Sequence, residues 1–136
     1  MNLNRSGIRT ADYASEKQIL FCKEGYIGVS VVVGDTGVTA ANGKKIIKAG
    51  TPLAGDLTAR GTAFKKATTT AGSGGAADTS DAVGVAYRDI DVTEGNANAT
   101  LMVKGCVNLD ALDSTVVTLV DNAVKAALKG NILFLK

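Results

Sequence analysis

The sequence predicts a mostly β chain that closes in one helix and a last short strand. Three observations carry this. Residues 26–33 form an apolar β-branched run, and apolar residues alternate with a period of two at Val83, Val85 and Tyr87 and again across residues 100–104. The 16 glycines, with clustered Asn and Asp, punctuate these runs as turns. Beyond Asp113 the apolar spacing changes to three and four, the signature of one helical face.

Taken in order, residues 1 to about 25 read differently from the rest. Polar residues and Arg5, Arg9, Lys17 and Lys23 interrupt any lasting periodicity, and only Ile19, Leu20 and Phe21 form a strongly apolar run. Such a segment is either a frayed end or an arm that orders on a partner. Residues 26–33 (YIGVSVVV) form a strand, and Asn42-Gly43 is a hairpin turn signal. A strand then starts at Lys45 and turns at the only proline, Pro52, which lacks a ladder donor and belongs at an edge or corner. Residues 64–68 are a short strand, and residues 68–81 a polar, glycine-rich loop. Val83, Val85 and Tyr87 begin the next β-unit, residues 91–98 (DVTEGNAN) turn it, and Thr100, Met102 and Lys104 alternate with Leu101 and Val103 on the way back. Val117, Val120, Val124, Ala127 and Leu128 then share one helix face. Lys125 and Lys129 suit its C-terminal dipole, and Gly130 stops it. Residues 131–136 (NILFLK) make a final strand whose Leu133 and Phe134 are expected to be buried.

A chain of 136 residues buries roughly two-thirds of its unfolded surface, enough for one independent core. That core has no Trp and only 4% aromatics, so Val, Ala, Thr and Gly must fill it with thin, closely packed sheets. The absence of His removes the common general base, metal ligand and near-neutral proton switch together. Cys22 and Cys106 match no metal spacing and read as small apolar thiols, with a disulfide possible in principle. The glycines of residues 72–75 lack the Gly-Lys-Ser/Thr of a phosphate loop. Asp89, Asp91 and Glu94 do not follow a calcium-loop spacing and belong on a solvated strand face. No Ser sits in a G-x-S-x-G elbow. The reading is therefore a non-enzyme with no catalytic, cofactor or metal site. A net charge of +2 does not suit a nucleic-acid surface, and no apolar run is long enough to span a membrane. With no signal-peptide pattern at the N-terminus, the expectation is a protein made in a cytoplasm and used there or in a particle assembled there.

The run from Ala82 to Leu112 resembles the head decoration proteins of tailed bacteriophages, the family of the lambda head decoration protein D. It carries A-x-G-apolar, then D-apolar-D-x-T-x-G, an apolar strand, Gly105, and Val107-Asn108 before Leu112. Residues 47–53 (IKAGTPL) resemble the family's G-T-x-L corner, and residues 124–134 (VKAALKGNILF) its terminal helix, glycine and last strand. The likeness spans residues 26–136, while residues 68–81 and 114–120 depart from the family pattern. The resemblance implies a mixed α+β fold, mostly β, packed as a compact small-sheet wedge that forms homotrimers. It implies that these trimers sit at three-fold and quasi-three-fold sites on the outer surface of the expanded head. There they cement the major capsid protein against the pressure of packaged DNA. It implies a flexible capsid-binding arm over residues 1–25 ahead of a core domain of residues 26–136. The arm's apolar anchors would be Ile8, Ile19, Leu20 and Phe21, with Thr51 and Pro52 as a second contact at the corner. Partners would be further copies of the chain and the major capsid protein, with neither nucleic acid nor membrane in direct contact. Alternative readings are the capsid-attachment module of a head fibre protein and an unrelated small ligand-binding β-protein.

Without His or a cysteine cluster, stability should not depend on bound metal. The thermal midpoint in excess chelator is expected to equal that in buffer, and a large fall would contradict the reading.

Overall fold

The computed structural model describes residues 19–136, and at Lys23 and Glu24 the backbone alone. Its strands are β1 (Leu20–Val33), β2 (Ile46–Ile47), β3 (Pro52–Ala54), β4 (Lys65–Lys66) and β5 (Thr69–Thr70). There follow β6 (Thr79–Ser80), β7 (Gly84–Ala86), β8 (Ile90–Asp91) and β9 (Ala97–Asn108). A 3₁₀ turn (Leu109–Ala111) leads to helices α1 (Ser114–Leu119) and α2 (Asn122–Ala127), then β10 (Ile132–Leu135). With 41% strand against 13% helix, the protein is mostly β, built on a small antiparallel sheet with short C-terminal helices.

The main sheet runs β1-β9-β7-β3-β4, and β10 joins the β7 side of β9 further along the strand. β9 meets β7 at Leu101 and Met102, and meets β10 in parallel from Gly105 to Asn108. The far end of this path returns to its start. Phe64, just before β4, bridges Val33 of β1, with Phe64 N–H donating to the Val32 carbonyl at 2.7 Å and Gly34 N–H to the Phe64 carbonyl at 2.8 Å.

Neighbouring strand residues point to opposite faces, and here both faces are covered. Val31, Val33, Leu53, Phe64, Ala86 and Leu101 share one buried cluster with Ile47, Ile90 and Val92 from the β2–β8 ribbon and its exit. On the other face Val85, Met102 and Val107 pack with Ile19, Leu20, Val116, Val124, Leu128 and Ile132. Val85 and Ala86 are each fully buried although adjacent. The alternation expected around Val83, Val85 and Tyr87 is therefore replaced by burial throughout β7.

Glycine permits the close approaches that this double layer needs. A Cβ on Gly84 would lie 2.6 Å from the Met102 carbonyl oxygen, and one on Gly55 would lie 2.5 Å from the Phe64 ring. The turn signal at Asn42-Gly43 gives left-handed conformations at both residues, φ 54° and 77°, with Ala41 bridged to Lys44. These are the signs of a type I′ hairpin.

Four expectations are corrected. β1 begins at Leu20, not near Tyr26, so the boundary expected at residue 25 falls inside a strand. The loop of residues 68–81 contains the β5–β6 ribbon, closed by Asp81, which accepts from Thr68 N–H at 2.7 Å. The single helix is two. Asp121 leaves helical geometry and its carboxylate accepts from Val124 N–H at 2.9 Å, starting a new helix. In the first helix Val116 and, after it, Val120 face the core, so Val117, expected inside, is exposed. Finally, β10 buries Ile132, while Leu133 is 51% exposed and Phe134 half-buried.

This last point separates two variants. Ile132→Ala should cost about 2–5 kcal/mol as a buried aliphatic truncation, whereas Leu133→Ala should cost under about 1 kcal/mol, near the surface norm. Chemical denaturation of both variants checks the order.

Candidate interaction surface

The polar residues are arranged to hold backbone. Asp113 caps α1, its carboxylate accepting from Thr115 N–H at 3.0 Å and from the Thr115 hydroxyl at 2.8 Å. Asp56 and Asp91 bind Thr58 and Thr93 in the same way, and these threonines hold both carboxyls below their ordinary range. Asp35 is lowered by its hydrogen bond and ion pair with Lys45 at 2.8 Å. Asp89 and Asp91 lie on the exposed side, as expected, but Asp89 also accepts from Ala49 N–H at 2.7 Å. Carboxyls held ionised by local donors are poor proton donors near neutral pH. A depression of about 360 Å³ between β8 and β9 is lined by Arg88, Asp89, Asp91, Asn98 and Thr100. Among the described residues no three Cys, Asp or Glu side chains converge as metal ligands, and no helix is long and apolar enough to cross a membrane.

The residues expected to contact a capsid separate into different environments. Ile8 lies outside the described residues. Ile19 is fully buried and Leu20 nearly so, packed with Ala49, Val107 and Ile132. These two side chains belong to the protein's own core and present little surface to a partner. The physical reason is the early start of β1, whose Leu20 pairs with Val107 of β9. Phe21, one residue on, points outward at 49% exposure.

Thr51 and Pro52 are also buried. Pro52 opens β3, the one strand position where a missing donor costs little, opposite Val85. Thr51 donates its hydroxyl to the Lys48 carbonyl at 2.6 Å, and its own carbonyl accepts from Ala86 N–H at 2.9 Å. The preceding Gly50 has φ 88°, and its Cα faces the Leu112 side chain so closely that a Cβ would overlap it. The corner is thus a braced joint and not a projecting loop. Both residues form the floor of a groove of about 220 Å³ whose rim includes Thr69, Thr118 and Leu119.

Among the described residues, five of the exposed large apolar side chains (Phe21, Tyr26, Ile27, Leu133 and Leu135) lie on β1 and β10, while Ile46, Leu57, Val117 and Leu119 lie elsewhere on the surface. Tyr26 stacks on Tyr87 with ring centroids 5.5 Å apart and covers Gly105, whose added Cβ would meet the Tyr26 Cβ at 3.1 Å. β1 ends the sheet path, and among the described residues no second strand pairs with its outer edge at residues 26–29. An open edge beside apolar side chains is a template for strand addition. Sequence reasoning missed Tyr26, Ile27 and Leu135, because a short, wholly apolar run does not show which side faces the core.

No family model, curated protein or solved structure matches this chain.

The corner brace has a pH signature. Lys48 pairs with Asp113 at 3.3 Å, and Asp113 is lowered from 3.8 to about 2, first by Thr115 and then by Lys48. A lowered folded-state pKa contributes stability that is present above the ordinary value and is lost as pH falls through about 2. Asp113→Asn keeps a capping oxygen but removes the charge. Its thermal midpoint should lie below that of the native protein at neutral pH, and the gap should close as pH falls from 3.8 toward about 2. Parallel melts across this range check it.

Proposed function

We propose that the protein is a head decoration protein of a tailed bacteriophage. In this reading it binds as homotrimers at three-fold and quasi-three-fold sites on the outside of the expanded head and stabilises the major capsid lattice against DNA pressure. The observation that carries the reading is that its three motif segments are hydrogen-bonded neighbours. The G-T-P-L corner holds β7 through Thr51 and Ala86, β7 pairs with β9, and β10 pairs with the Gly105–Asn108 stretch of β9. Motifs far apart in sequence thus meet in one hydrogen-bonded array, which supports reading them together as one architecture. The carboxylates engaged in caps and the exposed apolar rim of β1 and β10 suit a binding role better than a chemical one.

Attachment would combine residues 1–18, leading into β1, with Phe21 and its exposed neighbours. A backbone hydrogen bond gained by strand addition is worth about 0.5–1.5 kcal/mol net, against about 1–2 kcal/mol per residue for ordering the backbone. One arm gains little without apolar anchors, of which Ile8 and Phe21 are available once Ile19 and Leu20 are assigned to the core. Three arms on one trimer act at high effective concentration, which makes the attachment tight.

Co-sedimentation with expanded empty capsids of the cognate phage tests the proposal. The native protein should bind and have the solution mass of a trimer. Deleting residues 2–18 should leave the fold and the trimer intact, since the described core begins at Ile19. Capsid affinity should fall at least tenfold, about 1.4 kcal/mol. Undiminished affinity would place the grip elsewhere, and a monomer that ignores capsids would overturn the reading.

A further inference from the structure

We propose that Cys22 and Cys106 form a reversible cross-strand disulfide that locks the start of β1 onto β9. The inference is independent of the capsid reading. Cys22 and Cys106 stand directly opposite each other in the antiparallel register. Facing residues on such a ladder project to one side with Cα atoms about 4.5–5.5 Å apart, inside the roughly 4.4–6.8 Å span that a disulfide bridges. The two thiols are close enough to interact. The hydrogen bond from Cys22 is the largest cause of a raised Cys106 pKa, followed by burial and by the Cys22 charge.

The position also favours a lock. The register shifts between Leu20 and Cys22 and again between Cys22 and Ile27, so this pair stands alone between two irregularities. Among the described residues the register gives no further pair between Cys22 and Ile27, and Gly25 there takes φ 77°. A covalent link would hold the strand through which residues 1–18 join the core. Cys22 is exposed and Cys106 half-buried, so an external reagent meets Cys22 first.

The oxidant is a low-molecular-weight disulfide, RSSR. The Cys22 thiolate attacks one sulfur, forming a Cys22–SR mixed disulfide and releasing RS⁻, which takes up a proton. Conversion of Cys22 removes the neighbouring thiol that raises the Cys106 pKa. The Cys106 thiolate then attacks the Cys22 sulfur, forms the internal bond and expels the second RS⁻. The protein dithiol loses two electrons and two protons, and RSSR is reduced to two RSH.

The full chain, treated with oxidised glutathione and quenched with an alkylating agent, should lose the mass of two hydrogens. It should keep no glutathione and show both cysteines protected in one linked peptide pair. Cys106→Ser should instead retain one glutathione on Cys22, because nothing displaces it. The oxidised native protein should melt about 5–15 °C above the reduced form, the range expected when a disulfide closes a long loop in a domain of this size. Native protein that retains glutathione, links between copies at dilute concentration, or melts no higher when oxidised would overturn the proposal.

Discussion

The structure depends on β9 being buried on both faces along its middle. Leu101 and Met102 are adjacent and each fully buried, so they anchor opposite clusters. Each such side chain contributes about 1.5–3 kcal/mol of burial, and a single strand thereby couples two cores. β1 pairs with one edge of β9, while β7 and β10 divide the other, so every layer is referred to this strand. The register leaves Val103 as an extra residue on β9 between the partners of Ile27 and Gly28, and Gly105 has φ 147°; across this irregular stretch Met102 and Val107 face the same cluster despite their odd separation. Without that irregularity the end of β9 would turn Val107 away from the core that holds Ile19, Leu20 and Ile132.

A chain so poor in aromatics makes a double core by bringing backbones close. Gly84 lies against the Met102 carbonyl, Gly55 against the Phe64 ring, and Gly50 against Leu112. Phe64 is the large filler, and it also supplies the bridge to Val33 that draws the two ends of the sheet path together. Among the described residues the depressions open to the surface; the groove over Thr51 and Pro52 is lined in part by Thr118, Leu119 and Val124 of the helices.

The joint around Gly50 and Thr51 is held by bonds from Ala86, Asp89 and Lys48, and its stiffness suits a platform more than a grip. Among the described residues no second strand pairs with the outer edge of β1 at residues 26–29, where Tyr26 and Ile27 are exposed. The paired cysteines stand at the start of β1, where a covalent link would stiffen its pairing with β9.

Local signals were legible in the sequence. Asn42-Gly43 specified a hairpin because few residue pairs accept two left-handed conformations in a row. The helix ends at Ala127, and the chain turns left-handed at Lys129 (φ 55°) before Gly130 (φ 75°), while residues 131–136 read as a strand from their apolar character. The mostly β character and the solvated acids Asp89 and Asp91 were legible for the same reason, since each follows from short-range pattern and solvation. What remained hidden depends on partners distant in the chain. A period of two reveals a strand with one wet face, and it fails at Val85 and Ala86, where both faces are dry. Helical spacing cannot show that Asp121 interrupts the helix, because a cap competes with propagation through one local hydrogen bond. The burial of Ile19 and Leu20 and the facing of Cys22 and Cys106 follow from the register of β1 on β9. That register is set by irregularities whose place is decided only when the two cores pack.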